Sequence, residues 1–130
     1  MITHCGGIIP YFGGRAETLW TQLGSRGAGD READVLKNLS KVPIDCFKMF
    51  YGDTVLNGST VALKCGLDSV GADHVVFVSD CPFDPEGGPM FICEGIRSVK
   101  GAGLSGADLR SVCCGNAFFA DVPGRSPDLG

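Results

Sequence analysis

The segment His74–Ser79, HVVFVS, constrains the fold of this chain more than any other. A nearly unbroken apolar run of β-branched and aromatic residues, closed by a Pro/Gly-rich loop, is the pattern of a strand covered on both faces. Strands of that kind occur in parallel sheets, where crossover helices supply the cover. The flanking segments fit. Ser59 to about Val70 has Val61, Leu63, Leu67 and Val70 at helical spacing, and Met90–Lys100 predicts a helix beyond the Cys81–Pro89 loop.

The same alternation extends in both directions. Met1–His4 predicts a short strand, and Ile8 to about Leu23 a helix in spite of Gly13–Gly14. Gly24–Gly29 is a loop, and Asp30 is placed to N-cap a helix through about Ser40, stopped by Pro43. A mixed stretch, Ile44–Phe50, feeds a strand near Met49–Asp53. Ser105, with Asp108 three residues on, resembles a capping box and opens a last helix running to about Phe119. Asp121–Gly130 predicts a frayed tail, leaving residues 1–120 as the folded unit. The order is that of an α/β fold, but three parallel strands make a poor sheet alone, because both edges need partners.

Composition narrows the function classes. With 44% apolar and 20% charged residues the chain builds a core. A net charge of −4 without a basic stripe argues against nucleic acid as a partner. No apolar run reaches the roughly 18 residues of a membrane span. The seven cysteines are irregularly spaced and lack CxxC, and vicinal Cys113–Cys114 pair only with strain. No leader peptide is legible before the first strand, so the expectation is free thiols in the cytoplasm.

Chemistry in parallel α/β folds sits at the C-terminal ends of strands, and three polar groups fall there: His4, Asp53 in FYGDT and Asp80 in VSDCPFDPEGG. A carboxylate at the rim of a buried sheet needs a metal, a cation or hydrogen-bond donors, so Asp80 is either a site residue or a loop cap. His4 reads equally as a satisfied structural histidine or as a catalytic one. Asp53 reads as a structural acceptor for local loop amides. His74, at the opposite end of its strand, reads as a surface residue. The cysteines read as packing residues, with Cys5 and Cys81 alone adjacent to the candidate site.

Three segments carry a resemblance: ITHCGGIIPYFGGR, FYGDTVLNGSTVALKCGLDSVGADHVVFVSDCPFDPEGG and LSGADLRSVCCGNA. The combination of an H-x-G-G turn, an S-D-x-P-F strand end some 75 residues later and a G-N-A in the final helix resembles the C-terminal portion of the amidohydrolase-related proteins. Within them it is most similar to the aminocarboxymuconate-semialdehyde and resorcylate decarboxylase branch. The likeness runs from about Ile2 to Ala120. It implies the last part of a (β/α)8 barrel, about strands six to eight, and one divalent metal, usually zinc and sometimes manganese, in the full-length parent. It further implies that Asp80 ligates that metal or positions its water, that His4 acts as acid/base, and that Arg15 contacts a substrate carboxylate across a subunit interface.

The chain also departs from that pattern. The H-x-H of the first barrel strand and the ligand histidine of a middle strand are absent, Val78 stands where relatives usually have Gly, and SVCCGNA is unusually rich in cysteine. One carboxylate does not hold a catalytic zinc, which generally takes three protein ligands. The first expectation is therefore a C-terminal fragment of a metal-dependent decarboxylase or hydrolase of a small carboxylated, aromatic or ring-derived acid. By itself it would be inactive, hold no metal tightly, and work as a homo-oligomer or with a missing N-terminal half. The alternative is a non-catalytic, degenerate or split-gene fragment that acts by association. A flavodoxin-like binding domain is a third reading, for which CGGIIP lacks the phosphate-loop glycines.

Overall fold

A computed structural model describes residues 1–22, 38 and 41–120. The helix expected from Asp30 to Ser40, the loop before it and the tail from Asp121 lie outside the described residues. The elements are α1 (Ile9–Thr21), α2 (Pro43–Phe47), β1 (Gly52–Asp53), α3 (Thr60–Val70), β2 (Val75–Val76), α4 (Pro89–Gly101), α5 (Gly106–Arg110) and α6 (Ala117–Ala120). β1 pairs in parallel with β2, Gly52 opposite Val75 and Asp53 opposite Val76. On its other side Gly52 makes a parallel bridge to Ile2. Three extended segments thus lie side by side in chain order, all running the same way, with helices in the connections. This is the α/β arrangement expected of a piece of a barrel.

Local chemistry sets the element ends. Ser59 accepts the Ala62 N–H at 3.4 Å and caps α3, and Ser105 accepts the Asp108 N–H at 3.1 Å and caps α5. The Ser105 hydroxyl also donates to Asp108 Oδ2 at 2.8 Å, so the expected capping pair forms. Pro43 begins a helix rather than only ending one. It occupies the first turn of α2, where its missing N–H costs nothing. The strand expected near Met49–Asp53 is correspondingly confined to Gly52–Asp53. The final helix is interrupted: α5 passes into a π turn at Ser111–Gly115, closed by Asn116 N–H on Ser111 O at 2.8 Å, before α6.

β2 is shorter than the HVVFVS run. His74 ends a turn of 3-10 helix, and Val75 and Val76 alone are laddered to β1. Phe77 donates instead to Val112 O at 2.9 Å. The core cluster is formed by Cys5, Leu63 of α3, Val75 of β2, Val99 of α4 and Val112 of the π turn. Fully burying one such aliphatic side chain is worth about 1.5–3 kcal/mol.

Candidate functional site

The three extended segments are parallel, so the residues that follow them leave at one end, and His4 and Asp80 are both among those residues. His4 belongs to a turn of 3-10 helix, His4–Gly6, rather than to a strand. His4, Cys5, Gly6 and Gly7 all have positive φ, at 53°, 51°, 85° and 59°. This reversal stops the chain after Ile2 and turns the imidazole toward β1. There Nδ1 lies 3.1 Å from the carbonyl of Val55. A carbonyl only accepts, so Nδ1 carries the proton and neutral His4 keeps a lone pair on Nε2. His4 also forms part of the wall of an open cleft of about 290 Å³, with Tyr11, Leu56, Val61 and Cys65.

Asp53 is 2% exposed. Its Oδ1 accepts from Val55 N–H at 3.0 Å and from Cys5 N–H at 3.2 Å. The expected loop-amide role therefore holds, and it extends to an amide 48 residues away in sequence. Next to it, Thr54 Oγ1 accepts from Val78 N–H at 3.0 Å and donates to Val78 O at 2.8 Å. A side chain here continues the β1–β2 pairing two residues beyond the backbone ladder, up to the segment that carries Asp80.

Asp80 is exposed and sits at φ 59°. Its carbonyl accepts from Phe83 N–H at 3.0 Å, while its carboxylate bonds to none of the described residues. The loop cap is the next acid, Asp84, which sequence reasoning passed over although it lies in the same motif. Asp84 is 6% exposed, and its two oxygens accept from Glu86 N–H at 2.7 Å and Phe91 N–H at 3.1 Å. Burial raises its carboxyl pKa, but the N–H groups of Gly88, Phe91, Glu86 and Gly87 outweigh that and hold it below the ordinary carboxylate value.

The remaining candidates lie apart. Arg15 is exposed on α1 and does not line the cleft beside His4. Asp80 does not line it either. His74, expected at the surface, is partly buried: it stacks on Tyr51 with ring centroids 4.8 Å apart, and its Nδ1 is 3.1 Å from Asp73 Oδ2. Cys5 is buried against Gly52 and Gly66. Burial, with smaller contributions from Asp53 and Cys65, pushes its thiol up to about 11, so it stays protonated and is a poor metal ligand at neutral pH. Cys81 is exposed. Asn116, the Asn of the G-N-A motif, donates from Nδ2 to Ala72 O and Val75 O, both at 2.7 Å, and so ties the last helical segment to the start of β2.

The donors among the described residues do not assemble a metal site. Among the described residues no group of three His, Cys, Asp or Glu side chains is placed to hold one. No helix among them is long and apolar enough to cross a membrane.

No family profile matches the chain. No curated protein matches it either. Solved structures do. The chain is similar to IDCase from Metarhizium anisopliae, with a TM-score of 0.72 and 28% identity over 91% of this chain and 32% of that one. It shares its fold with 2,6-dihydroxybenzoate decarboxylase from Rhizobium, with a TM-score of 0.64, 21% identity and the same coverage of 91% and 32%. A dihydroxybenzoic acid decarboxylase from Polaromonas, solved with bound manganese and the inhibitor 2-nitroresorcinol, matches with a TM-score of 0.65 and 23% identity over 91% and 32%. The chain spans about a third of the length of these proteins. In sequence motifs and in fold it resembles the C-terminal portion of the amidohydrolase-related proteins of the resorcylate decarboxylase branch.

Proposed function

We propose that this chain forms the C-terminal part of a metal-dependent decarboxylase or hydrolase acting on a small carboxylated, aromatic or ring-derived acid in the cytoplasm. Its three extended segments stand as about the sixth to eighth strands of the barrel, residues 1–120 forming that part and 121–130 a tail. The observation that carries this reading is the fold shared with IDCase over 91% of the chain at 28% identity. In this role His4 is the acid/base group. Its Nδ1–H is held by Val55 O, so Nε2 is the atom that takes up or releases a proton. Arg15, exposed on α1, contacts a substrate carboxylate at a subunit interface. Asp80 supplies one metal ligand, zinc or manganese, and the other ligands come from outside this chain, which by itself is inactive.

A second reading, association without catalysis, draws on the apolar side chains left exposed. Ile8, Tyr11, Val61 and Phe83 are each more than 60% accessible.

A chimera tests the first reading. The C-terminal third of the Rhizobium 2,6-dihydroxybenzoate decarboxylase is replaced by this chain, and carbon dioxide release from 2,6-dihydroxybenzoate is measured with zinc or manganese supplied. The expected result is release that falls about 10²-fold or more with His4→Gln. A folded, metal-loaded chimera that releases none, or one indifferent to His4→Gln, contradicts the reading. It then favours association alone.

A further inference from the structure

We propose that Asp53 is the positioning residue for His4, holding the imidazole in the tautomer that leaves Nε2 free to exchange a proton. The inference rests on His4 being the acid/base group proposed above.

An aspartate that accepts only from the amide two residues on makes an ordinary local turn. Asp53 does this with Val55 at 3.0 Å, but the same oxygen also accepts from Cys5 N–H at 3.2 Å. Cys5 is buried, so without Asp53 its amide would be left unpaired. Cys5 also lies in a run of four positive-φ residues, two of which carry side chains and need an external tether to stay there. One carboxylate oxygen thus grips both halves of the contact that orients the ring. It holds the turn bearing His4, and it holds by its N–H the residue Val55 whose carbonyl receives the ring proton at 3.1 Å. Val55 is fixed at both its amide and its carbonyl. If the turn shifts, the Nδ1–H bond is lost and the proton is free to sit on Nε2, which then has no lone pair to offer.

The test reads the tautomer directly. The chain has only two histidines, so two-bond ¹H–¹⁵N correlation spectra resolve both rings, and His4→Gln assigns them. In the unsubstituted 130-residue chain at a pH where His4 is neutral, the expected result is a protonated Nδ1 and a bare Nε2. Asp53→Asn keeps an acceptor oxygen and is expected to keep that pattern. Asp53→Ala is expected to move the proton predominantly to Nε2. Asp53→Ser, whose hydroxyl reaches one amide, is expected to give a mixture, and it decides the matter alone if the alanine variant does not fold. Thr54→Val loosens the neighbouring residue and is expected to leave the tautomer unchanged, separating positioning from general destabilisation. A bare Nδ1 in the unsubstituted chain overturns the proposal. So does a wild-type tautomer in a folded Asp53→Ala or Asp53→Ser chain, or a shift in Thr54→Val as large as theirs. No substrate is involved, so the proposed activity and this positioning role fail separately.

Discussion

Thr54 and Val78 are joined through one hydroxyl, which accepts the Val78 N–H at 3.0 Å and donates to the Val78 carbonyl at 2.8 Å. This pair continues the parallel ladder where the backbone no longer does, and it anchors the segment from which Asp80 emerges. Thr54→Val keeps the shape and removes both bonds. It should cost about 1–3 kcal/mol, because two backbone groups lose their partner, whereas Thr54→Ser should recover most of that. Urea unfolding of the two variants checks the difference.

The two carbonyls held by Asn116 make a second, independent prediction. Ala72 O and Val75 O each lie 2.7 Å from its Nδ2. Asn116→Ala should lower stability by about 1–3 kcal/mol. Asn116→Asp should be worse, since a carboxylate has no proton to donate and would face both oxygens. Thermal melts of the pair distinguish a lost donor from a repelling acceptor.

Much of the frame was legible from sequence because it follows local rules. Ser59 and Ser105 mark their helices, and the apolar period of Ser59–Val70 reads as a helix without knowledge of its neighbours. HVVFVS correctly marked a buried strand, but not its length. Phe77 and Val78 take their partners from Val112 and a threonine side chain, and no sequence period encodes such pairings. The site was legible as positions rather than as contacts. The sequence puts His4 and Asp80 at strand ends, whereas the structure puts them in the turns that follow the extended segments, and the link from Asp53 to Cys5 spans 48 residues and has no local signature. The capping role of Asp84 was hidden for a different reason. Asp80 and Asp84 share one Pro/Gly-rich loop, and only the folded backbone shows which of them collects its amides.

Asp84 gives the chain an acid-dependent loop. A carboxyl whose pKa is held down by folding contributes stability that is fully present above its unfolded value. That stability is lost as pH falls through the lower, folded value. Here the unfolded reference is 3.8, so the loss begins around that pH and continues below it. Asp84→Asn cannot titrate. Its unfolding midpoint in urea should vary less than that of the unsubstituted chain as pH is lowered from 5 toward 2.

Positions 4 and 80 follow parallel extended segments out of the sheet at one rim, and His74 precedes β2 at the other. Two strand spacings separate the first pair, roughly 10 Å, while the six residue steps from 74 to 80, extended at Val75–Val76, span at most about 20 Å. A nitroxide attached at Cys81, with the other exposed cysteines replaced by serine, measures this against an internal control. Strong paramagnetic broadening of the His4 ring signals and much weaker broadening of those of His74 are expected. Broadening of His74 equal to or greater than that of His4 would contradict this arrangement.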